Sequence, residues 1–244
     1  MMIRRLLAAA KMLRWRDVGA TREPCAACGF PLLVRLRQSE IGVRCPRCGA
    51  SAITLSLVDV LRRTHPALHA VCAYELSAAG PLVRYLRTTV GTLVTSELFD
   101  GQTPGSTVAG IECQDVQALT YSDNRFDLCT STEVFEHVED DIAGFRELFR
   151  VLRPGGLLVF TVPLTDQPQT VERTAWVQGQ RINVLPPAYH ADRYRGCRVF
   201  AYRDYGLDIV ARLESVGFID AHIALPTHRL FGYARPVLVA KKPS

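Results

Sequence analysis

Two matched units, Cys25-Ala-Ala-Cys28-Gly29 and Cys45-Pro-Arg-Cys48-Gly49, constrain the first quarter of this chain more than any other feature. A Cys-x-x-Cys turn lets two thiolates meet one ion, and a glycine after the second cysteine permits the tight backbone curl beneath it. Two such turns complete a closed, tetrahedral site, so Cys25, Cys28, Cys45 and Cys48 are read as the ligands of a structural zinc ion. A piece this small cannot fold on its own hydrophobic burial, whereas structural zinc contributes on the order of 10 kcal/mol.

The 16 residues between the two pairs suit a zinc ribbon or a close relative. Leu32–Leu36 and Ile41–Arg44 read as the two short strands of its hairpin. A disulfide framework is the weaker alternative without a secretory signal, and a thioredoxin-type redox motif needs only one Cys-x-x-Cys on a strand-to-helix turn. Cys72, Cys113, Cys129 and Cys197 are scattered, and three of them fall in apolar strand patterns as small buried hydrophobes.

Of the 244 residues, 48% are hydrophobic and 22% charged, which excludes a disordered or collagen-like chain. The longest apolar runs, such as Leu157–Val162, fall far short of the ~20 residues needed to cross a bilayer. The formal net charge of +5 hides an asymmetry: residues 1–70 carry +8 and the remainder −3. The first 20 residues read as an Arg-rich amphipathic helix. It packs on the domain behind it, or serves in targeting, docking or membrane-surface association. As a secretion signal it fails, because Lys11 interrupts the apolar stretch, and a reducing cytoplasmic setting is expected.

Beyond a connecting helix within residues 53–69, strand and helix patterns alternate. Ala70–Glu75 reads as a strand and Pro81–Val90 as the helix behind it. Leu93–Glu97, Val108–Cys113, Phe126–Ser131 and Leu157–Val162 read as further strands. Asp140–Leu152 is an amphipathic helix stopped by Pro154-Gly155-Gly156, and Gly206–Val216 another, stopped by Gly217. Phe218–Ala224 and Ala234–Ala240 suggest a terminal antiparallel hairpin. Alternation of this kind predicts an α/β fold with a parallel sheet covered by helices.

The run Phe126-Asp127-Leu128-Cys129-Thr130-Ser131-Thr132-Glu133-Val134-Phe135-Glu136-His137-Val138, then a helix, then Leu152-Arg153-Pro154-Gly155-Gly156 and a strand, resembles class I S-adenosylmethionine-dependent methyltransferases. It looks most like the broad methyltransferase type 11 group. The resemblance covers about residues 70–224 and implies a Rossmann-like seven-stranded sheet with helices on both faces. The domain organisation expected is an N-terminal helix (1–20), a zinc-ribbon-like module (21–52), a connecting helix (53–69) and a methyltransferase domain (70–244) with an insertion at about 165–203.

The same resemblance implies a set of cofactor residues. Glu75 lies under the first loop, where Ser77 and Ala79 stand at positions usually glycine and Gly80 alone matches. Glu97 is placed on the ribose hydroxyls, Asp115 on the adenine amino group with Val116 beside the ring, and Ser131 on the methionine side. The alternative for each is a polar strand end or helix cap. His137 is a candidate proton acceptor, or a residue that shapes the site, and His190 a second candidate within the aromatic and basic insertion.

Three readings stand at this point. The leading one is methyl transfer to a small-molecule acceptor, such as O-methylation of a metabolite or sugar-like substrate. The second is methylation of a ribosomal RNA base, with the basic zinc module on the RNA; against it, Phe30 is the one aromatic between the first and last ligand cysteine. The third is a methyltransferase-like binding protein without activity. Acceptor identity and oligomeric state are not encoded in these patterns.

Overall fold

The structure, a computed structural model, describes residues 14–192 and 197–244. The greater part of the expected N-terminal helix therefore lies outside the described residues; Trp15–Asp17 form a single 3₁₀ turn. The chain divides into two compact units, one of residues 1–66 with 225–235, the other of residues 67–224 with 236–244.

The first unit is a three-stranded antiparallel sheet, β1 (Gly19–Thr21), β2 (Leu33–Arg35) and β3 (Val43–Arg44), followed by helix α1 (Ala52–Thr64). The ribbon strands are shorter than expected, because Glu40–Gly42 form a 3₁₀ turn where the second was to begin. Ser51 caps α1 by accepting from the Thr54 N–H, and the helix buries Ile53, Leu55, Leu57, Val58, Val60 and Leu61.

Residues 225–235, far along the chain, complete this unit. Leu230 joins Cys25, Leu33, Val43, Cys45, Ala50, Ala52 and Leu55 in one core, with Phe231 and Tyr233 packed against it. Polar contacts fix the segment: the Thr227 N–H donates to Asp59 at 2.8 Å, the Arg235 N–H to Ser56 at 3.0 Å, and the Arg235 guanidinium meets Glu40 at 2.9 Å.

The second unit is built on an eight-stranded sheet of order β16-β17-β9-β8-β4-β5-β7-β6. Its parallel centre comprises β4 (Cys72–Glu75), β5 (Thr92–Glu97), β7 (Ile111–Cys113), β8 (Phe126–Thr132) and β9 (Leu152–Thr161). The expected count of seven is exceeded by one. The run read as one strand at Val108–Cys113 is broken at Ala109 (φ +50°) and Gly110 (φ +81°), which folds β6 (Thr107–Val108) back antiparallel on β7. The terminal hairpin forms as expected, from β16 (Ile219–Ala224) and β17 (Val237–Lys241), with β17 antiparallel to β9.

Helix α2 (Pro81–Arg87) follows β4, α3 (Asp141–Val151) follows β8, and α4 (Ile209–Val216) precedes the hairpin. Asp140 caps α3 by accepting from the Ala143 N–H at 2.9 Å, and Gly217 ends α4 in the left-handed region. Phe135, Phe145, Leu148, Phe160 and Leu213 are fully buried in the core between sheet and helices. Strand β9 starts at Leu152, five residues earlier than the apolar pattern, because the Pro154-Gly155-Gly156 run forms a bulge, with Gly155 at φ +79°, between the Phe126–Leu152 and Leu128–Leu157 pairings.

The described residues of the insertion form three two-stranded antiparallel pairs. β11 (Thr174–Val177) pairs with β12 (Gln180–Asn183), β13 (Ala188–Asp192) with β14 (Cys197–Ala201), and β10 (Val171–Glu172) with β15 (Arg203–Asp204) at its base. No helix among the described residues is long and apolar enough to cross a membrane.

Because Leu230 fills the core beside Cys25 and Cys45, Leu230→Ala should cost the first unit about 2–3 kcal/mol. In urea titrations, thiol reactivity of Cys25 and Cys45 should then rise at lower denaturant than in the wild type, while the tyrosine signal of the second unit keeps its midpoint.

Candidate active site and thiolate cluster

The strand order places β4 between β8 and β5, and chain direction across the sheet reverses at β4/β8. In such sheets ligands gather beyond the carboxyl ends at this switch point. Glu75 ends β4, Glu97 ends β5, Asp115 follows β7, and Ser131 lies near the end of β8. The sequence-predicted cofactor residues therefore share one edge of the sheet.

Glu75 is 1% exposed and accepts from Thr130 Oγ1 at 2.5 Å. Burial pushes its carboxyl up to about 8, against donation from Thr130 and from the Ser77 hydroxyl and N–H, with the Glu97 charge adding to the rise. Ser77, standing where glycine is usual, thus has a partner of its own. Neither Ser77 nor Ala79 has a positive φ, whereas Gly80 has φ +128°, so the backbone requires glycine only at the position that kept it. Glu97 reaches the same loop, its Oε2 lying 3.4 Å from the Ala78 N–H donor.

Asp115 accepts from the Gln117 N–H at 2.9 Å and from the Gln117 amide at 3.1 Å, the turn-capping alternative noted above, and Val116 packs beside the core. Ser131 is fully buried and its hydroxyl has no hydrogen-bond partner. A buried orphan hydroxyl, a half-buried carboxylate and a glycine-dependent loop fit a polar cofactor laid across these strand ends.

At the other side of the β8 end stands a group that sequence reading saw only in part. His137 donates its Nδ1–H to the Phe200 carbonyl at 2.7 Å, since a carbonyl only accepts. Its Nε2 lies 3.6 Å from Glu136 Oε1, and His190 Nδ1 lies 3.5 Å from the same oxygen. The two rings meet edge-on at 4.9 Å. The Glu136 carboxylate beside His190 lifts its imidazole above the ordinary histidine range, opposed by burial. Glu136, at 1% exposure, belongs to the run that carries the family resemblance but is not among the expected site residues; its place between Phe135 and His137 was the available signal.

Arg203, also missed, sets this geometry. It is 4% exposed and donates to the carbonyls of Phe135 (3.2 Å), Val138 (2.6 Å) and Glu139 (2.8 Å), and to Glu172 at 3.1 Å. The Tyr202 N–H donates to the Glu136 carbonyl at 2.8 Å. The base of the insertion thereby grips the turn that carries Glu136 and His137. Beside His190, rings and a guanidinium meet in series: Tyr189 edge-on to Phe200 (5.6 Å), Phe200 edge-on to Tyr202 (4.9 Å), and Arg181 over Tyr202 (4.6 Å) and over Trp176 (5.0 Å).

In the first unit the four cysteines converge. Cys25 and Cys48 Sγ are 3.6 Å apart and Cys28 and Cys45 Sγ 3.5 Å, and all four lie within 4.8 Å of one another. Thiolates around one tetrahedral ion at 2.3 Å sit about 3.8 Å apart, which these spacings match. Each knuckle closes alike, the Gly29 N–H on the Cys25 carbonyl and the Gly49 N–H on the Cys45 carbonyl, with φ of +72° and +73° at the glycines. Of the other cysteines, Cys113 and Cys129 are buried and Cys72 is half-buried, while the Cys197 side chain is outside the description.

Residues 77–160 match the family profile described as "Methyltransferase domain". The chain carries a methyltransferase domain. A 2-methyl-6-phytyl-1,4-hydroquinone methyltransferase of Synechocystis sp. is 39% identical to it over 57 residues, 23% of this chain and 18% of that protein. A demethylmenaquinone methyltransferase of Mycolicibacterium vanbaalenii is 30% identical over 159 residues, 62% of this chain and 64% of that protein. The chain thus spans less than two thirds of either relative. The S-adenosylmethionine dependent methyltransferase of Mesorhizobium loti shares the fold of the methyltransferase domain, with a TM-score of 0.52 at 19% identity over 75% of this chain and 96% of that one.

The buried carboxyl of Glu75 gives the methyltransferase domain a distinct pH signature. Its folded pKa of about 8 exceeds the ordinary 4.5, so the native state holds the proton more tightly than the unfolded chain. The stabilisation is complete below about 4.5 and declines as pH rises to about 8, by roughly 1 kcal/mol per unit at most. Denaturation midpoints across this window should show the decline in the wild type, and Glu75→Gln should flatten it.

Proposed function

We propose that this protein is an S-adenosylmethionine-dependent methyltransferase acting on a hydroxyl of a small-molecule acceptor, with a structural zinc ion in its first unit. The observation that carries the reading is the alignment of Glu75, Gly80, Glu97, Asp115 and Ser131 along one edge of the sheet, facing the strand-order reversal, inside a chain that carries a methyltransferase domain.

S-adenosylmethionine, when bound, would supply an electrophilic methyl group: the acceptor oxygen would form the new O–C bond, the S–C bond would break with its electron pair left on sulfur, and the hydroxyl proton would pass to solvent. Glu97 accepts from the ribose hydroxyls, two donors for which a carboxylate offers two oxygens. Asp115 and Val116 hold the adenine end, and Ser131 with the Ser77–Gly80 loop the methionine end. In-line displacement depends chiefly on alignment, which can be worth an effective molarity of ~10⁵ M or more, so no strong base is demanded. His137 and His190 stand at the acceptor side. The insertion, with Trp176 and Tyr189 largely exposed beside that side, suits an apolar ring or chain on the acceptor. Both relatives described above are named for quinone-type substrates, which is consistent with such an acceptor.

The first unit is read as a structural module. Arg35 donates to the Asp17 carbonyl at 2.9 Å and lies over the Phe231 ring, so it serves the packing of this unit. Cys25, Cys28, Cys45 and Cys48 would hold zinc, which ties β2, β3 and the start of α1 together.

Isothermal titration with S-adenosylhomocysteine should show one site per chain, weakened at least tenfold by Glu97→Ala. Absence of binding by folded protein would refute the cofactor assignment. Labelled-methyl transfer into a fractionated native extract should mark the small-molecule fraction; label confined to RNA or protein would overturn the acceptor class. His190→Ala should reduce turnover while S-adenosylhomocysteine affinity is kept.

Metal analysis of the desalted protein should find one tightly held zinc per chain, lost in Cys25→Ser and in Cys48→Ser. Zinc-free wild-type protein with four titratable thiols in the native state would contradict a zinc module.

A further inference from the structure

Glu136 is a buried carboxylate, its side chain 2% exposed, and neither of its oxygens has a hydrogen-bond partner. Leaving a charged carboxylate in that state costs several kcal/mol, so something positive belongs beside it. The facing groups are two imidazoles. His137 has committed its Nδ1–H to the Phe200 carbonyl, which leaves Nε2 with a lone pair directed toward Glu136 Oε1 at 3.6 Å. His190 brings Nδ1 to the same oxygen at 3.5 Å. Both separations exceed a normal hydrogen bond of about 2.7–3.2 Å. They lie at, and 0.1 Å beyond, the upper end of the spacing of about 3.0–3.5 Å between donor atoms that share one cation at bond lengths near 2.1 Å.

We propose that Glu136, His137 and His190 form a binding site for a divalent transition-metal cation, distinct from the four-cysteine cluster. The three ligand atoms lie within 4.8 Å of one another, and the donor set of two imidazoles and a carboxylate is one that first-row divalent ions favour. The His137 Nδ1–H bond to a backbone carbonyl is the outer contact that fixes the tautomer and aim of metal-ligating histidines. The ligands come from two elements, the turn after β8 and strand β13 of the insertion, and Arg203 holds that turn against the base of the insertion. Glu133 and Asp204 add negative charge facing His190, which favours a cation further. Three protein ligands leave positions open for a hydroxyl oxygen. The cation's task, to take the acceptor oxygen and ease loss of its proton, rests on the methyl-transfer reading above; the site itself does not.

The test uses the full-length protein with its tightly held zinc in place, treated with a mild chelator and titrated with cobalt(II) chloride alone. Calorimetry should show one cobalt per chain, with a weak visible absorption band and no intense thiolate-to-metal band of the kind that exchange at the cysteines would give. His190→Ala, a half-exposed position, should weaken this binding at least tenfold while zinc content and thermal midpoint stay as in the wild type. Glu136→Gln should do the same. The proposal is overturned if the wild type takes up no cobalt beyond exchange at the cysteines, or if uptake persists in both variants. Cobalt binding without transfer to any acceptor would sink the acceptor assignment and leave the site standing; transfer unaffected by chelator and without cobalt uptake would do the reverse.

Discussion

The buried guanidinium of Arg203 is the interaction on which the arrangement of the methyltransferase domain depends. It donates to three backbone carbonyls of the turn after β8 and to Glu172, while Asp141, 3% exposed, accepts from Tyr205 at 2.8 Å and meets Arg212 at 3.1 Å. Two arginines thus share two carboxylates and a phenol below the insertion. A buried charge group of this kind is worth little against a well-packed apolar replacement, but removing one member strands the others at about 3–5 kcal/mol. What it supplies is geometry: the turn bearing Glu136 and His137 has one position relative to β10 and β15.

The sheet was readable because parallel strands buried on both faces leave apolar runs, and because the turn and cap residues between them are local signals. Gly80, Asp140 and Gly217 fall where their chemistry requires. The departures have local causes too: Ala109-Gly110 splits a strand without breaking the apolar pattern, and β9 extends back through Pro154 and the two glycines. What local pattern cannot carry is pairing at a distance. Arg203 and Phe135 are 68 residues apart, His137 and Phe200 are 63, and no periodicity links them.

The candidate cofactor residues came from the family resemblance, and they lie together because the carboxyl ends of parallel strands share one side of the sheet. Glu136 was harder to see. In the sequence it is one carboxylate beside an imidazole, and only the fold shows that His190 closes on it and that its oxygens find no other partner. The cysteine cluster was the reverse case, because spacing within and between the knuckles contains nearly all of its geometry.

Leu230 and its neighbours carry a consequence for how this chain can be divided. The backbone passes from one unit to the other after Pro66, returns at Leu225 and leaves again after Arg235. Neither unit is a continuous stretch of sequence. Cutting the gene after residue 66 would yield thiolate knuckles missing part of their apolar floor, and deleting the knuckles would strand an eleven-residue loop carrying Leu230, Phe231 and Tyr233 with nothing to cover. Exchanging either unit between two such chains would therefore take three coordinated crossovers, after Pro66, before Leu225 and after Arg235.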